Sequence, residues 1–92
     1  MSKDWRLERL ERESNLHGLR FHRKAYTAPS AVWDHDHCEA CWARLAVPNS
    51  PYTDAEREGF TTCEDASRGA GYNWVCVRCF ELFREDMQWK EV

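Results

Sequence analysis

The sequence predicts a small single domain of the α+β class, held together by a bound metal ion. Two Cys-x-x-Cys pairs, Cys38/Cys41 and Cys76/Cys79, stand 34 residues apart, a spacing that lets two tight turns aim four sulfurs at one point. An apolar stripe of helical period, Phe80, Phe83 and Met87, begins inside the second pair. The chain is also poor in large aliphatic side chains: 15 Leu, Val and Phe and no Ile among 92 residues. That share lies below the roughly 20% under which a chain struggles to fold unaided. Five Trp and five Cys make up the difference, and a net charge of −3 is too small to keep the chain expanded. Such a chain needs a staple, as small domains commonly do.

Taken in order, residues 3–14 read as a short surface helix with Ser2 as its cap, Leu7 and Leu10 on one face, and Glu8 paired to Arg12. Residues 19–26 alternate like a half-buried strand, with Leu19, Phe21 and Ala25 inward and Arg20, His22, Lys24 and Tyr26 outward. Residues 33–42 hold the densest run of reactive side chains and read as short and irregular. Residues 47–51 are a turn by composition. A capping box at Thr53 to Glu56 predicts a helical turn or two over residues 54–58, stopped at Gly59. Residues 60–63 and 72–75 read as two strands of a hairpin, joined by a polar loop over 64–71 with no evident reason to be rigid. Residues 77–89 complete the chain as a helix, on which Asp86 and Lys90 form an i,i+4 pair. Residues 1–92 are thus one zinc-binding domain, in which 1–18 form a helical arm and 19–92 a zinc-stabilised core.

The predicted order, a knuckle at 38–41, a hairpin, then a second cysteine pair in the first turn of a helix, is treble-clef-like. Cys38, Cys41, Cys76 and Cys79 are therefore the expected ligands of one Zn2+, although iron in a rubredoxin-like site takes the same set. Structural zinc contributes ~10 to 16 kcal/mol of apparent binding free energy, which a chain this thin in apolar residues can use to fold. The helix N-terminus is expected to lower the thiol pKa of Cys76 and Cys79. Cys63, left over, reads as a small buried hydrophobe.

Other chemistries fit the same residues less well. A thioredoxin-like dithiol at Cys76/Cys79 would leave Cys38/Cys41 unused and lacks a βαβ frame. Haem attachment fails because Trp42 and Phe80 stand where histidine is required. His37 and Glu39 imitate the H-x-E of zinc deaminases, but Val75 replaces the expected Pro and four thiols leave no open coordination position. Asp34, His35, Asp36 and His37 resemble the acidic-His cluster of His-Me finger nucleases, in which the His is a general base and a carboxylate holds the metal. Here that cluster precedes both cysteine pairs, and no His follows position 37. His35 and His37 are expected instead to support the knuckle by hydrogen bonds, or one of them to replace a cysteine as ligand. No catalytic residue is expected.

Partners are read from charge. Residues 1–30 carry +3 and residues 31–92 carry −6, and the sequence pI is about 5.8. Only the strip Arg20, His22, Lys24 and Tyr26 offers the basic and aromatic surface of a nucleic-acid module. Protein recognition fits better, with Trp5, Trp33, Trp42 and Trp89, and with Arg20 and Lys24, as candidate contacts. The first 20 residues have no apolar segment of a signal peptide, and no run approaches the ~18 residues of a membrane span, so a cytoplasmic location is expected.

The motif Trp33-Asp-His-Asp-His-Cys-x-x-Cys-Trp42 followed by Trp74-x-Cys-x-x-Cys-Phe80 resembles a group of small bacterial zinc-binding proteins with no assigned activity. The resemblance spans residues 19–90 and implies zinc and a bacterial origin. By analogy of class, small acidic bacterial domains are often inhibitors such as toxin immunity proteins or phage modulators of host enzymes.

Overall fold

The computed structural model describes residues 4–12, 14–28, 30 and 32–92; the expected cap Ser2 lies outside them. Helix α1 spans Trp5–Arg12 and is followed by a 3-10 turn at Ser14–Leu16. Asp4 caps α1, its Oδ1 accepting the Arg6 backbone N–H at 2.9 Å. Strands β1 (Arg20–Ala25), β2 (His35–His37), β3 (Arg44–Ala46), β4 (Glu58–Thr62) and β5 (Trp74–Val75) lead to helix α2 (Val77–Phe83) and a last strand β6 (Lys90–Glu91).

A four-stranded sheet runs in the order β5-β4-β1-β6, antiparallel except for the β1/β6 pair. Strands β2 and β3 form a separate antiparallel hairpin. The segment expected to be irregular is therefore partly strand, because His35 pairs with Ala46 and His37 with Arg44.

The main core lies where α2 covers one face of the larger sheet. Phe60 and Phe80 stack with centroids 3.8 Å apart, Phe21 and Trp89 meet at 5.0 Å, and Leu10, Leu16, Phe83 and Met87 are buried in the same cluster. The arm thus contributes Leu10 and Leu16 to the core itself.

On the opposite face the β2–β3 hairpin approaches β4 so closely that a Cβ on Gly59 would lie 2.7 Å from Leu45 Cδ2 and 2.8 Å from the Val75 carbonyl oxygen. Both faces of the sheet are covered, which corrects two expectations for β1. Tyr26 is buried, packed on Trp74 at 4.9 Å, and Ala25 is exposed. The alternation was right about period and wrong about which face meets water beyond Phe21.

Two helical expectations are also corrected. Residues 54–58 are not helical: the Arg57 guanidinium donates to the Val47 and Tyr52 carbonyls at 2.5 and 2.8 Å, and Glu56 exchanges backbone hydrogen bonds with Arg44 and Ala46. Helix α2 ends at Phe83 rather than at residue 89. Turns carry Met87 onto the same buried stripe, Gln88 takes a left-handed φ of 55°, and the chain doubles back so that the Lys90 N–H reaches the Leu19 carbonyl at 3.1 Å. Asp86 and Lys90 therefore share no helix. The 64–71 loop, expected to be loose, is laced to β4 by Gly71 N–H to the Thr62 carbonyl and Thr62 Oγ1 to the Gly69 carbonyl.

Candidate metal centre

Cys38 and Cys41 sit in the loop of the β2–β3 hairpin. The Trp42 N–H bonds the Cys38 carbonyl at 3.0 Å, the Cys38 N–H bonds the Ala43 carbonyl at 2.8 Å, and the Ala40 N–H donates to Cys38 Sγ at 3.4 Å. Cys76 is the extended N-cap residue of α2 and Cys79 lies in its first turn. The Glu39 N–H, bonded to the Trp74 carbonyl at 2.9 Å, ties the knuckle to the strand that delivers the second pair.

The four sulfurs lie within 4.8 Å of one another. Among the described residues no other set of three or more His, Cys, Asp or Glu converges in this way. A tetrahedron with metal–sulfur bonds of ~2.3 Å has sulfur–sulfur edges of about 3.8 Å. The Cys41 and Cys76 sulfurs stand 3.7 Å apart, so the residues present fit a four-thiolate ion. Cys38, Cys76 and Cys79 are buried and Cys41 is partly so.

Proton sharing among the thiols makes the same point. Hydrogen bonds from Cys38 and Cys79 drive Cys76 down to about 2, whereas the bond to Cys76 pushes Cys38 up to about 12. Cys79 also rises, chiefly through its bond with Cys38. Without a cation at the centre, one thiolate is held by its protonated neighbours. Four thiolates this close together would need a cation among them.

Arginines of α1 supply outer compensation that the spacing of the cysteines could not reveal. The Arg6 guanidinium lies over the Phe83 ring at 5.3 Å, pairs with Asp4 at 2.7 Å, and is stabilised in its charged form first by Asp4 and further by Cys79 and Cys41. Arg9 lies over Trp42 at 5.0 Å. Trp42 is stacked on His37 at 4.2 Å, nearly parallel, and 57% of its surface is exposed. Its φ of 69° is left-handed, a strained setting for a bulky residue.

His35 and His37 project together from β2, their rings 4.9 Å apart. His35 Nδ1 meets Asp34 Oδ1 at 2.6 Å, while Asp36 Oδ2 accepts the Tyr26 hydroxyl at 2.7 Å and the Trp33 indole N–H at 3.1 Å. The two acids thus serve different partners, and neither His belongs to the converging ligand set. Burial, with His35 and Arg44 nearby, lowers the pKa of His37. Burial raises that of Cys63.

Of the expected basic strip, Arg20 is exposed and pairs with Asp65, His22 and Lys24 are partly exposed, and Tyr26 is buried. Of the four expected aromatic contacts, Trp5, Trp33 and Trp42 are exposed. Trp89 is buried, its Nε1 donating to the Leu16 carbonyl at 2.8 Å.

Comparison with family models, with curated proteins and with solved structures finds no match to the chain. Its class rests on fold and cluster: a small α+β domain with four cysteines close enough together to hold a metal ion. No helix among the described residues is long and apolar enough to cross a membrane.

Proposed function

We propose that this chain is a structural-zinc module that works by binding another protein, as a small cytoplasmic binder or inhibitor. The observation that carries the reading is the closed thiolate cluster: four protein sulfurs, three of them on fully buried residues, complete a tetrahedral shell and reserve no position for substrate. Zinc is the metal of choice because it suits four thiolates and brings no redox chemistry; iron is the competing occupant. Binding is supported by Trp5, Trp33, Trp42, Tyr72 and Leu82, large apolar side chains left in solvent by a domain with few to spare. Four thiolates and one Zn2+ add −2 to the sequence charge of −3, giving −5, which favours a partner with a basic surface. The paired free thiols suit a reducing compartment. An immunity protein or a phage modulator of a host enzyme falls within this reading by analogy of class.

Cross-linking of the metal-loaded chain in its native host, followed by mass spectrometry, is expected to return a protein partner. That partner is lost with Trp33→Ala or Trp42→Ala variants that still fold and hold metal. Plasmid cleavage by the purified chain with Mg2+ or Mn2+, abolished by His37→Ala, would replace this reading with a nuclease.

A further inference from the structure

Strand β2 carries histidine at alternate positions, so His35 and His37 share one face while Asp36 turns to Tyr26 on the other. We propose that this pair is a second metal site, separate from the cysteine cluster, holding one imidazole-preferring divalent ion such as Zn2+, Co2+ or Ni2+ with water completing its shell. The site goes beyond the protein-binding reading and does not rest on it.

The spacing of the rings fits a shared ion. Two imidazoles on one ion, with metal–nitrogen bonds of ~2.1 Å at an angle between right and tetrahedral, have ring centres about 4.6 to 5.3 Å apart. The His35 and His37 centres stand 4.9 Å apart, with their planes at 86°. Rings that each hold the ion in their own plane are free to take that mutual angle.

Hydrogen bonding leaves the nitrogens such an ion needs. The Asp34 carboxylate only accepts, so His35 Nδ1, 2.6 Å from Asp34 Oδ1, carries the proton and the neutral ring presents a bare lone pair at Nε2. A carboxylate on one nitrogen is what orients a metal-binding histidine through the other, and Asp34 is itself held by the Tyr52 hydroxyl at 3.3 Å. His37 makes no hydrogen bond among the described residues, so it does not support the knuckle in that way. Its ring is set instead by parallel stacking on Trp42 at 4.2 Å. Both rings are thus held by contacts that leave a donor nitrogen unused.

The surroundings decide which ion enters. His35 and His37 are only partly buried, so solvent and ions reach them. Arg44, opposite His37 in the hairpin, lies over the Tyr52 ring at 4.2 Å and pairs with Asp54 at 3.8 Å, and Asp54 and Asp34 offset its repulsion of a bound cation. Among the described residues no third His, Cys, Asp or Glu converges on the pair, so the ion keeps water ligands and binds less tightly than at four thiolates. Neutral nitrogen donors select zinc, cobalt or nickel over Mg2+ and Ca2+, which take oxygen ligands.

The test gives the tag-free full chain one equivalent of Zn2+, then a second, and follows the imidazole nitrogens by NMR. The second equivalent is expected to shift the His35 and His37 nitrogens and to leave those of His17 and His22 in place. His35→Phe and His37→Phe, which keep a ring and remove its nitrogens, should each abolish the second equivalent in equilibrium dialysis while retaining the first. Asp34→Asn should weaken the second by about tenfold or more. Thermal melts confirm that each variant folds. Absence of a second equivalent, or one that survives both Phe variants, overturns the site. Histidine shifts complete at the first equivalent overturn it as well, because the rings would then be sensing only the cysteine-bound ion.

Discussion

The Cys41 and Cys76 sulfurs, delivered by a hairpin loop and by the N-cap of a helix 35 positions later, lie 3.7 Å apart, the edge of a metal–thiolate tetrahedron. Contacts of this range close long loops, and a bound ion would add to the Glu39–Trp74 backbone bond that joins the two halves of the site. Purified protein is therefore expected to contain about one metal ion per chain. Cys76→Ser should abolish cooperative unfolding by circular dichroism, because it removes a ligand worth a share of the ~10 to 16 kcal/mol of a structural zinc site. Full metal loading and an unchanged melt in Cys76→Ser would refute the site.

Metal-free and metal-loaded chains should part in their response to pH above the free-thiol value. Metal-bound thiolates have folded pKa values below the ~8.5 of a free thiol. Their stabilisation is present above that pH and is lost as pH falls and protons displace the ion. In the metal-free cluster Cys76 is lowered while Cys38 is raised to about 12 and Cys79 rises as well, so stability grows with pH up to the free-thiol value through Cys76 and is lost above it as pH climbs toward the raised values. Melting curves with and without a chelator across this range measure both trends, and parallel trends above the free-thiol value would contradict the assignment.

Much of the site was legible because its information is local. Each Cys-x-x-Cys pair is one turn, and the helix start after Cys76 follows from the Phe80 and Phe83 stripe. What was not legible depends on distant partners. Tyr26 looks solvent-facing by alternation until the β2–β3 hairpin arrives to place Asp36 against its hydroxyl. The capping box at Thr53 to Glu56 is overridden by Arg57, whose guanidinium finds two carbonyls of the preceding turn. The end of α2 at Phe83 depends on the return of Lys90 to β1, which no periodicity within residues 77–89 encodes. The placement of Arg6 and Arg9 arises only from packing.

Gly59 is set by close approach, with Leu45 Cδ2 and the Val75 carbonyl both inside 3 Å of where a Cβ would stand. One of those neighbours is backbone in the strand that leads into Cys76, so it cannot move aside without shifting the metal ligands. Gly59→Ala is expected to cost about 1 to 3 kcal/mol, as overpacking does, and to speed loss of metal to a chelator. A melt and a chelator-competition rate within error of the parent would show that the strand gives way freely.

Trp42 separates stability from function. Its left-handed φ costs on the order of 1 to 2 kcal/mol for a residue with a Cβ, and the ring contacts that offset it, with His37 and Arg9, contribute about 0.5 to 1.5 kcal/mol. Glycine would relieve the strain, lose the stacking, and add roughly 0.5 to 1 kcal/mol of unfolded-state entropy. These terms nearly cancel, so Trp42→Gly should leave the midpoint of chemical unfolding within about 1 kcal/mol of the parent. The fold alone therefore gives no reason to keep a large, exposed indole in a strained position, and strain of this kind persists at sites of function. The same variant should lose partner recovery in the cross-linking experiment. Loss of several kcal/mol of stability would instead make Trp42 a structural clamp between α1 and the knuckle, and would remove it from the binding surface.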